Sequence, residues 1–272
     1  MMDAESGGIE SNPLPLVLEG YIAMMVVMGI LWFVQRRTRN ASLAEVGFCL
    51  GLISVVIGYA AQTISGIERT ALAIMLVVLY AGRLGHYLLV DRVIGKEEED
   101  PRYQRLRKTW GKSEAVNMFL YFQLQAVAIA TFSLPFLVVL WNPRPPTAVV
   151  ELAGLLIWGI GVAGQARADR QLAQFRADPR NEGLVCREGL WRYSRHPNYF
   201  FEWLHWWSYV VMTLGASGWA FTLIAPILMG WMLLKVTGIP PNETQALASL
   251  GDDYRAYQRT TNAFIPGAPK AS

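Results

Sequence analysis

Cysteine, histidine and charge are all scarce in this chain of 272 residues. Cys49 and Cys186 are the only cysteines, which excludes a disulfide scaffold and a cysteine-rich zinc site. Two inert thiols in a reducing environment are expected instead. The three histidines, His86, His196 and His205, are scattered along the chain, and no H-E-x-x-H run joins any two of them, so no metal centre is expected. A P-loop and a G-x-S-x-G nucleophile elbow are also missing, which removes P-loop phosphate chemistry and the serine hydrolases that use such an elbow. Charged residues make up 17% of the chain, where a soluble domain carries about a quarter. The net charge of +3 is too small to argue for a nucleic-acid partner. Asp3, Glu5 and Glu10 precede the first apolar run and no basic residue does; without a positive n-region, no cleaved secretory signal is expected.

Apolar residues are abundant, at 53% of the sequence, with a mean hydropathy of +0.27. A bilayer core takes roughly 20 apolar residues per helix. Stretches of that kind run at about 14–34, 43–62, 70–90, 117–140, 147–165, 199–216 and 218–235. They mostly lack the polar face that a water-soluble helix needs. The expected fold is therefore an all-α integral membrane protein, a bundle of about seven transmembrane helices.

The basic residues give an independent reading of topology. With seven helices and the N-terminus outside, the inner segments are 35–42, 91–116, 166–198 and 236–272. Together with Lys235 they hold 21 of the 24 Lys and Arg; Arg69 and Arg144 fall outside and Arg83 lies within a helix. Enrichment of Lys and Arg on the cytoplasmic side sets orientation, so the C-terminus is expected in the cytoplasm. The chain reads as one membrane domain. It comprises an outer tail at 1–13, a bundle at 14–235 with long inner loops at 91–116 and 166–198, and an inner tail at 236–272. A water-soluble ligand would reach it from the cytoplasm.

Gly159-Ile160-Gly161-Val162-Ala163-Gly164 fits the G-x-G-x-x-G pattern. That fingerprint binds a pyrophosphate only between a strand and a helix. Here it lies inside an apolar helix, where small residues let transmembrane helices approach closely, and packing is expected.

The most informative run is Gly189-Leu-Trp-Arg-Tyr-Ser-Arg-His-Pro-Asn-Tyr-Phe-Phe-Glu202. Pro197 suits the first turn of a helix; the unpaired amides there, with Arg192 and Arg195 beside them, would favour an anion. Asn198, Glu202 and His205 then share one helix face. A carboxyl such as Glu202 inside a membrane segment is costly and reads as functional, against an interfacial anchor of Arg, Tyr and Trp as the plain alternative. Helix three presents Tyr80, Arg83, Tyr87 and Asp91 on a second face. Arg83 is deep enough to need an anionic partner, in a site or in a structural ion pair. Glu45, near the inner start of helix two, is either a desolvated proton donor or an interfacial carboxylate facing water. Asp169 and Arg176 fall in a helical extension of helix five. Each of these charges, like those of the tail around Glu243, is equally compatible with a solvated face.

Asp100-Pro101-Arg102-Tyr103, the Gly189–Tyr199 run, Gly238-Ile239-Pro240 and Tyr254-x-x-Tyr257 with Phe264-Ile265-Pro266 together resemble the DUF1295 membrane proteins. Those are related in turn to the C-terminal domain of steroid 5α-reductases. The resemblance covers about residues 40–268. The R-H-P-N-Y run alone is shared with membrane methyltransferases of the isoprenylcysteine carboxyl type.

The resemblance implies NADPH held in a cytoplasm-facing cavity without a Rossmann fold. Tyr80 and Arg83 match the Tyr-x-x-Arg pair of the steroid reductases, and Asp91 falls where they carry a cofactor-contacting Asn. Asp169 and Arg176 match the Asp and Arg of the helix-five extension, and Asn198 and Glu202 match the Asn and Glu of helix six. Glu45 stands near the catalytic glutamate, with Ala44 before it where that family has Gln; Glu243 falls where it has His.

The reaction expected is reduction of an activated C=C bond in a lipophilic enone, a 4-ene-3-oxo steroid or similar molecule. Tyr80, backed by Glu45, would bind the carbonyl oxygen; Arg83, Arg176 and Arg195 would hold phosphates, with His196 and Glu243 beside them, and Glu202 the nicotinamide end. Membrane lipid is the expected surrounding, in a bacterial inner membrane or the endoplasmic reticulum, and the protein is expected to be a monomer. Methyl transfer from S-adenosylmethionine and a non-catalytic membrane role are the rival readings.

Overall fold

A computed structural model of the protein describes residues 12–62, 66–95, 98–142 and 147–270. Most of the expected outer tail and Arg144 lie outside the described residues. Among the described residues every regular element is a helix. Six helical segments are long and apolar enough to cross a membrane: Leu14–Thr38, Leu43–Gln62, Ile67–Arg92, Pro101–Trp141, Ala148–Ala177 and Trp219–Thr260. This is a multi-pass integral membrane protein. The expected span at 199–216 is instead a helix of 16 residues, Pro197–Met212, about 24 Å at 1.5 Å per residue, and thus shorter than the other six.

The chain divides within one continuous helix into two compact units, Met1–Leu134 and Pro135–Ser272, although the sequence shows no linker there. The N-terminal unit holds α1 (Leu14–Thr38), α2 (Leu43–Gln62), α3 (Ile67–Val77), α4 (Arg83–Arg92), α5 (Pro101–Trp110) and most of α6 (Glu114–Trp141). A π-helical turn, Val78–Gly82, joins α3 to α4. Close approach to α2 depends on small residues. A Cβ on Gly51 would come within 2.7 Å of Ile129 Cδ1 and 2.9 Å of Met24 Sδ, and one on Gly85 within 3.0 Å of Cys49 Cβ. These are the small-residue contacts that pack helices where no water drives them together. The outer face of α1, with Leu18, Ile22, Val26, Ile30 and Phe33, is exposed, as a lipid-facing row is.

The segment 91–116, expected as an inner loop, contains the ordered helix α5. Its cause is local: the Asp100 side chain accepts a hydrogen bond from the Arg102 amide, and Pro101 occupies the first turn, a cap and a preset φ that start a helix. Gly111, at φ 48°, ends it in a conformation that side chains with a Cβ rarely adopt.

The C-terminal unit holds the end of α6, α7 (Ala148–Ala177), α8 (Pro197–Met212), α9 (Ile224–Trp231) and α10 (Ile239–Thr260). The expected helical extension past 165 is present, since α7 runs unbroken to Ala177. Antiparallel packing of α7 on α8 is set by glycines. A Cβ on Gly161 would meet His205 Cβ at 2.5 Å and Cα at 2.8 Å, and one on Gly164 would meet Phe201 Cγ at 2.5 Å. Gly159 has open space beside it. The G-x-G-x-x-G run is therefore a packing stripe, as expected. The tail is also more ordered than its mixed charge implies: α10 carries Gly238-Ile239-Pro240 at its start and breaks at Gly251 (φ 53°).

Candidate functional site

The residues singled out in the sequence fall in both units. In the N-terminal unit, Tyr80 sits in the π turn and is 1% exposed. Arg83 opens α4 directly after that turn. A π turn inside a longer helix re-aims the side chains that follow it and recurs at functional positions. Asp91 is exposed at the end of α4, with a carboxylate oxygen 3.7 Å from Arg92 Nε.

Glu45 is engaged by three side chains from α4 and α5. Its carboxylate accepts from Arg92, from Arg102 at 2.9 Å and from the Tyr103 hydroxyl at 3.2 Å. Tyr103 lies 3.2 Å from the Tyr121 hydroxyl. Beside this cluster, Arg102 Nε donates to Asp100 at 3.0 Å. Burial alone would raise the Asp100 carboxyl, but hydrogen bonds and charge from Arg102, with Arg92 behind it, hold it below the usual carboxylate range. Arg107 bridges Glu99 at 2.7 Å, Gln35 at 2.8 Å and Glu114. Two ion networks thus tie α1, α2, α4, α5 and α6 together at one end of the unit. The Asp-Pro-Arg-Tyr motif marked the place in sequence; the partners of Arg92 and Tyr121 had no local signal.

In the C-terminal unit the structure brings several expected residues together. Asn198, in the first turn of α8, donates from Nδ2 to Asp169 Oδ1 of α7 at 3.1 Å. Glu202, one turn further on, is buried and accepts from Trp206 Nε1 at 3.1 Å. Arg176 is exposed on the last turn of α7.

Arg195 and Glu243 form an ion pair at 2.7 Å. The guanidinium also donates to the Gln258 carbonyl at 3.2 Å and the Thr261 carbonyl at 2.5 Å. It is 10% exposed. His196 Nε2 stands 3.3 Å from the same carboxylate, and its ring stacks on Tyr199 with centroids 5.4 Å apart. Gln258 donates to the second Glu243 oxygen at 2.9 Å. Gln258 and Tyr254, which also reaches Glu243, were invisible as partners because they lie on the far half of α10, beyond its break. Among the described residues no group of His, Cys, Asp and Glu could hold a metal ion.

These features define a helical membrane protein with a buried polar cluster in each unit. The chain belongs to the DUF1295 family, described as a protein of unknown function, which matches residues 31–261. No curated protein and no solved structure matches it.

Proposed function

We propose that the protein is an NADPH-dependent membrane reductase of an activated C=C bond in a lipophilic enone, with a 4-ene-3-oxo steroid as the leading substrate class. The observation that carries this reading is the Asp169–Asn198 hydrogen bond. It joins the two segments, the end of α7 and the start of α8, that the steroid-reductase resemblance assigns to the cofactor. The donor set there fits a dihydronicotinamide nucleotide. Asp169 and Glu202 offer carboxylate acceptors and Asn198 an amide, which suit a carboxamide with both a donor and an acceptor. Arg176, exposed and without an ion-pair partner among the described residues, suits a phosphate.

When bound, NADPH supplies the hydride that goes to the β-carbon of the enone. Tyr80 donates its hydroxyl to the carbonyl oxygen and stabilises the enolate that develops there; a proton then completes the α-carbon. Arg83, three residues on, holds phosphate or fixes the phenol. Glu45 has a different part from the one the sequence implied, since Arg92, Arg102 and Tyr103 occupy it. It anchors α2 to α4 and α5. Arg195 and Glu243 likewise brace the start of α8 against α10, so in this unit the phosphate role falls to Arg176.

The finer topology belongs to the same reading. α8 is a short seventh crossing, the N-terminus lies outside, and the basic inner segments face the cytoplasm, from which NADPH enters. The test is isotopic. Purified protein supplied with NADPH deuterated at the transferring position and a 4-ene-3-oxo steroid should yield a saturated ketone carrying one deuterium at the β-carbon. Label appearing nowhere, or a methylated product from S-adenosylmethionine, would reject the proposal.

A further inference from the structure

The C-terminal unit has an open pocket of about 440 Å³ that is separate from the residues assigned to the cofactor. It is lined by Arg167, Gly189, Leu190, Arg192 and Tyr193. Its walls are fixed by local chemistry. The 3-10 turn Gly189–Arg192 is clamped to α7 by Trp191 Nε1, which donates to the Ala168 carbonyl at 3.0 Å, and by Gln171 Oε1, which accepts the Leu190 amide at 3.0 Å. Gly189 is at φ 54° and its Cα faces the Gln171 side chain, so no other residue fits the turn without displacing the clamp. The result is that Arg192 shares one pocket with Arg167.

Two guanidiniums held in one pocket repel each other, and no carboxylate lines it. Among the described residues neither Arg167 nor Arg192 has an ion-pair partner; Arg170, Arg176 and Arg259 of the same unit lack one too, and what distinguishes Arg167 and Arg192 is that they line one pocket together. An anionic ligand would supply the counter-charge that the pocket itself does not. Depth indicates which kind. Arg167 is the first charged side chain after Glu151 along α7, so it stands where the apolar span ends and the headgroup layer begins. Tyr193, 44% exposed, is the amphipathic ring found at that level.

We propose that this pocket binds a phosphate ester, supplied by the headgroup of an anionic phospholipid of the inner leaflet. Arg167 and Arg192 grip the phosphate oxygens as paired charge-assisted donors, while Leu190 and Tyr193 meet the glycerol and upper chain. The inference does not rest on the reductase reading, because neither arginine belongs to that site.

Native mass spectrometry of the full-length protein released from detergent tests it, with phosphatidylglycerol and phosphatidylcholine as the probes. The wild type should retain phosphatidylglycerol preferentially. R167Q and R192Q, both on exposed side chains, should each weaken that retention about fivefold, as expected for one interfacial cation, and leave phosphatidylcholine unchanged. R167K/R192K should keep the preference, which separates charge from damage to the fold. Glycerol 1-phosphate added in water distinguishes the source. Failure to displace the lipid supports the headgroup, whereas displacement at equal concentration would overturn the lipid assignment in favour of a water-borne phosphate ester. Equal retention of phosphatidylglycerol by the wild type and R167Q/R192Q would overturn the site itself.

Discussion

Asn198 donates a hydrogen bond to Asp169 across 3.1 Å, although 29 residues separate them in sequence. The bond fixes the first turn of α8 against the polar end of α7, where the apolar parts of both helices give way to the polar segment between them. Replacing Asn198 by Ala takes a donor from a buried carboxylate, which costs about 1–3 kcal/mol. Asn198→Asp should cost more, because it sets a second carboxylate against the first. Tryptophan-detected thermal unfolding in detergent should rank the wild type above N198A and N198A above N198D. The opposite order of the two variants would show that Asp169 is protonated or turned away.

Tyr80→Phe removes one hydroxyl and almost no volume. Loss of a single donor to a developing oxyanion lowers turnover by about 10²–10³. Steady-state kinetics on an enone should show that fall with NADPH affinity retained. Equal loss of both would assign Tyr80 to the cofactor rather than to the substrate.

Glu45→Gln tests whether that carboxylate braces the fold or does chemistry. Half-buried Arg92 and Arg102 share it, so Gln leaves two guanidiniums facing each other with Asp100 and the more exposed Asp91 as the remaining counter-charges. Thermal stability should fall by about 1–3 kcal/mol, and turnover of the folded fraction should stay within a few-fold. A catalytic acid would give the reverse, intact stability and lost turnover.

The glycine stripe separates packing from nucleotide binding. Gly161→Ala forces a methyl into His205 at 2.5 Å, an overpacking that costs about 1–3 kcal/mol. Gly159→Ala enters open space and should be neutral or slightly stabilising. A phosphate-binding loop would instead lose NADPH affinity in either variant with stability unchanged.

Much of this molecule was legible in its sequence, because lipid imposes long apolar runs that composition alone displays. Helices at six of the seven expected places are long and apolar enough to span. The length of α8 was not legible, since the apolar run at 199–216 outlasts the helix, which ends at Met212. Neither was the π turn under Tyr80, because an extra residue in a helical turn leaves no mark on a uniformly apolar stretch. The candidate site was legible as residue types at given depths, and Asp169 with Asn198 is the clearest case. Partners were not. The arginines that hold Glu45 come from α4 and α5, 47 and 57 residues away, and a single sequence carries no signal for such pairings.

The central claim is tested most directly by binding. Detergent-purified protein is titrated with NADPH, followed by nicotinamide fluorescence, and with S-adenosylmethionine, followed by calorimetry. The account predicts saturable NADPH binding that weakens on Arg176→Ala and no heat from S-adenosylmethionine. Binding of S-adenosylmethionine alone, or of neither ligand, would contradict it.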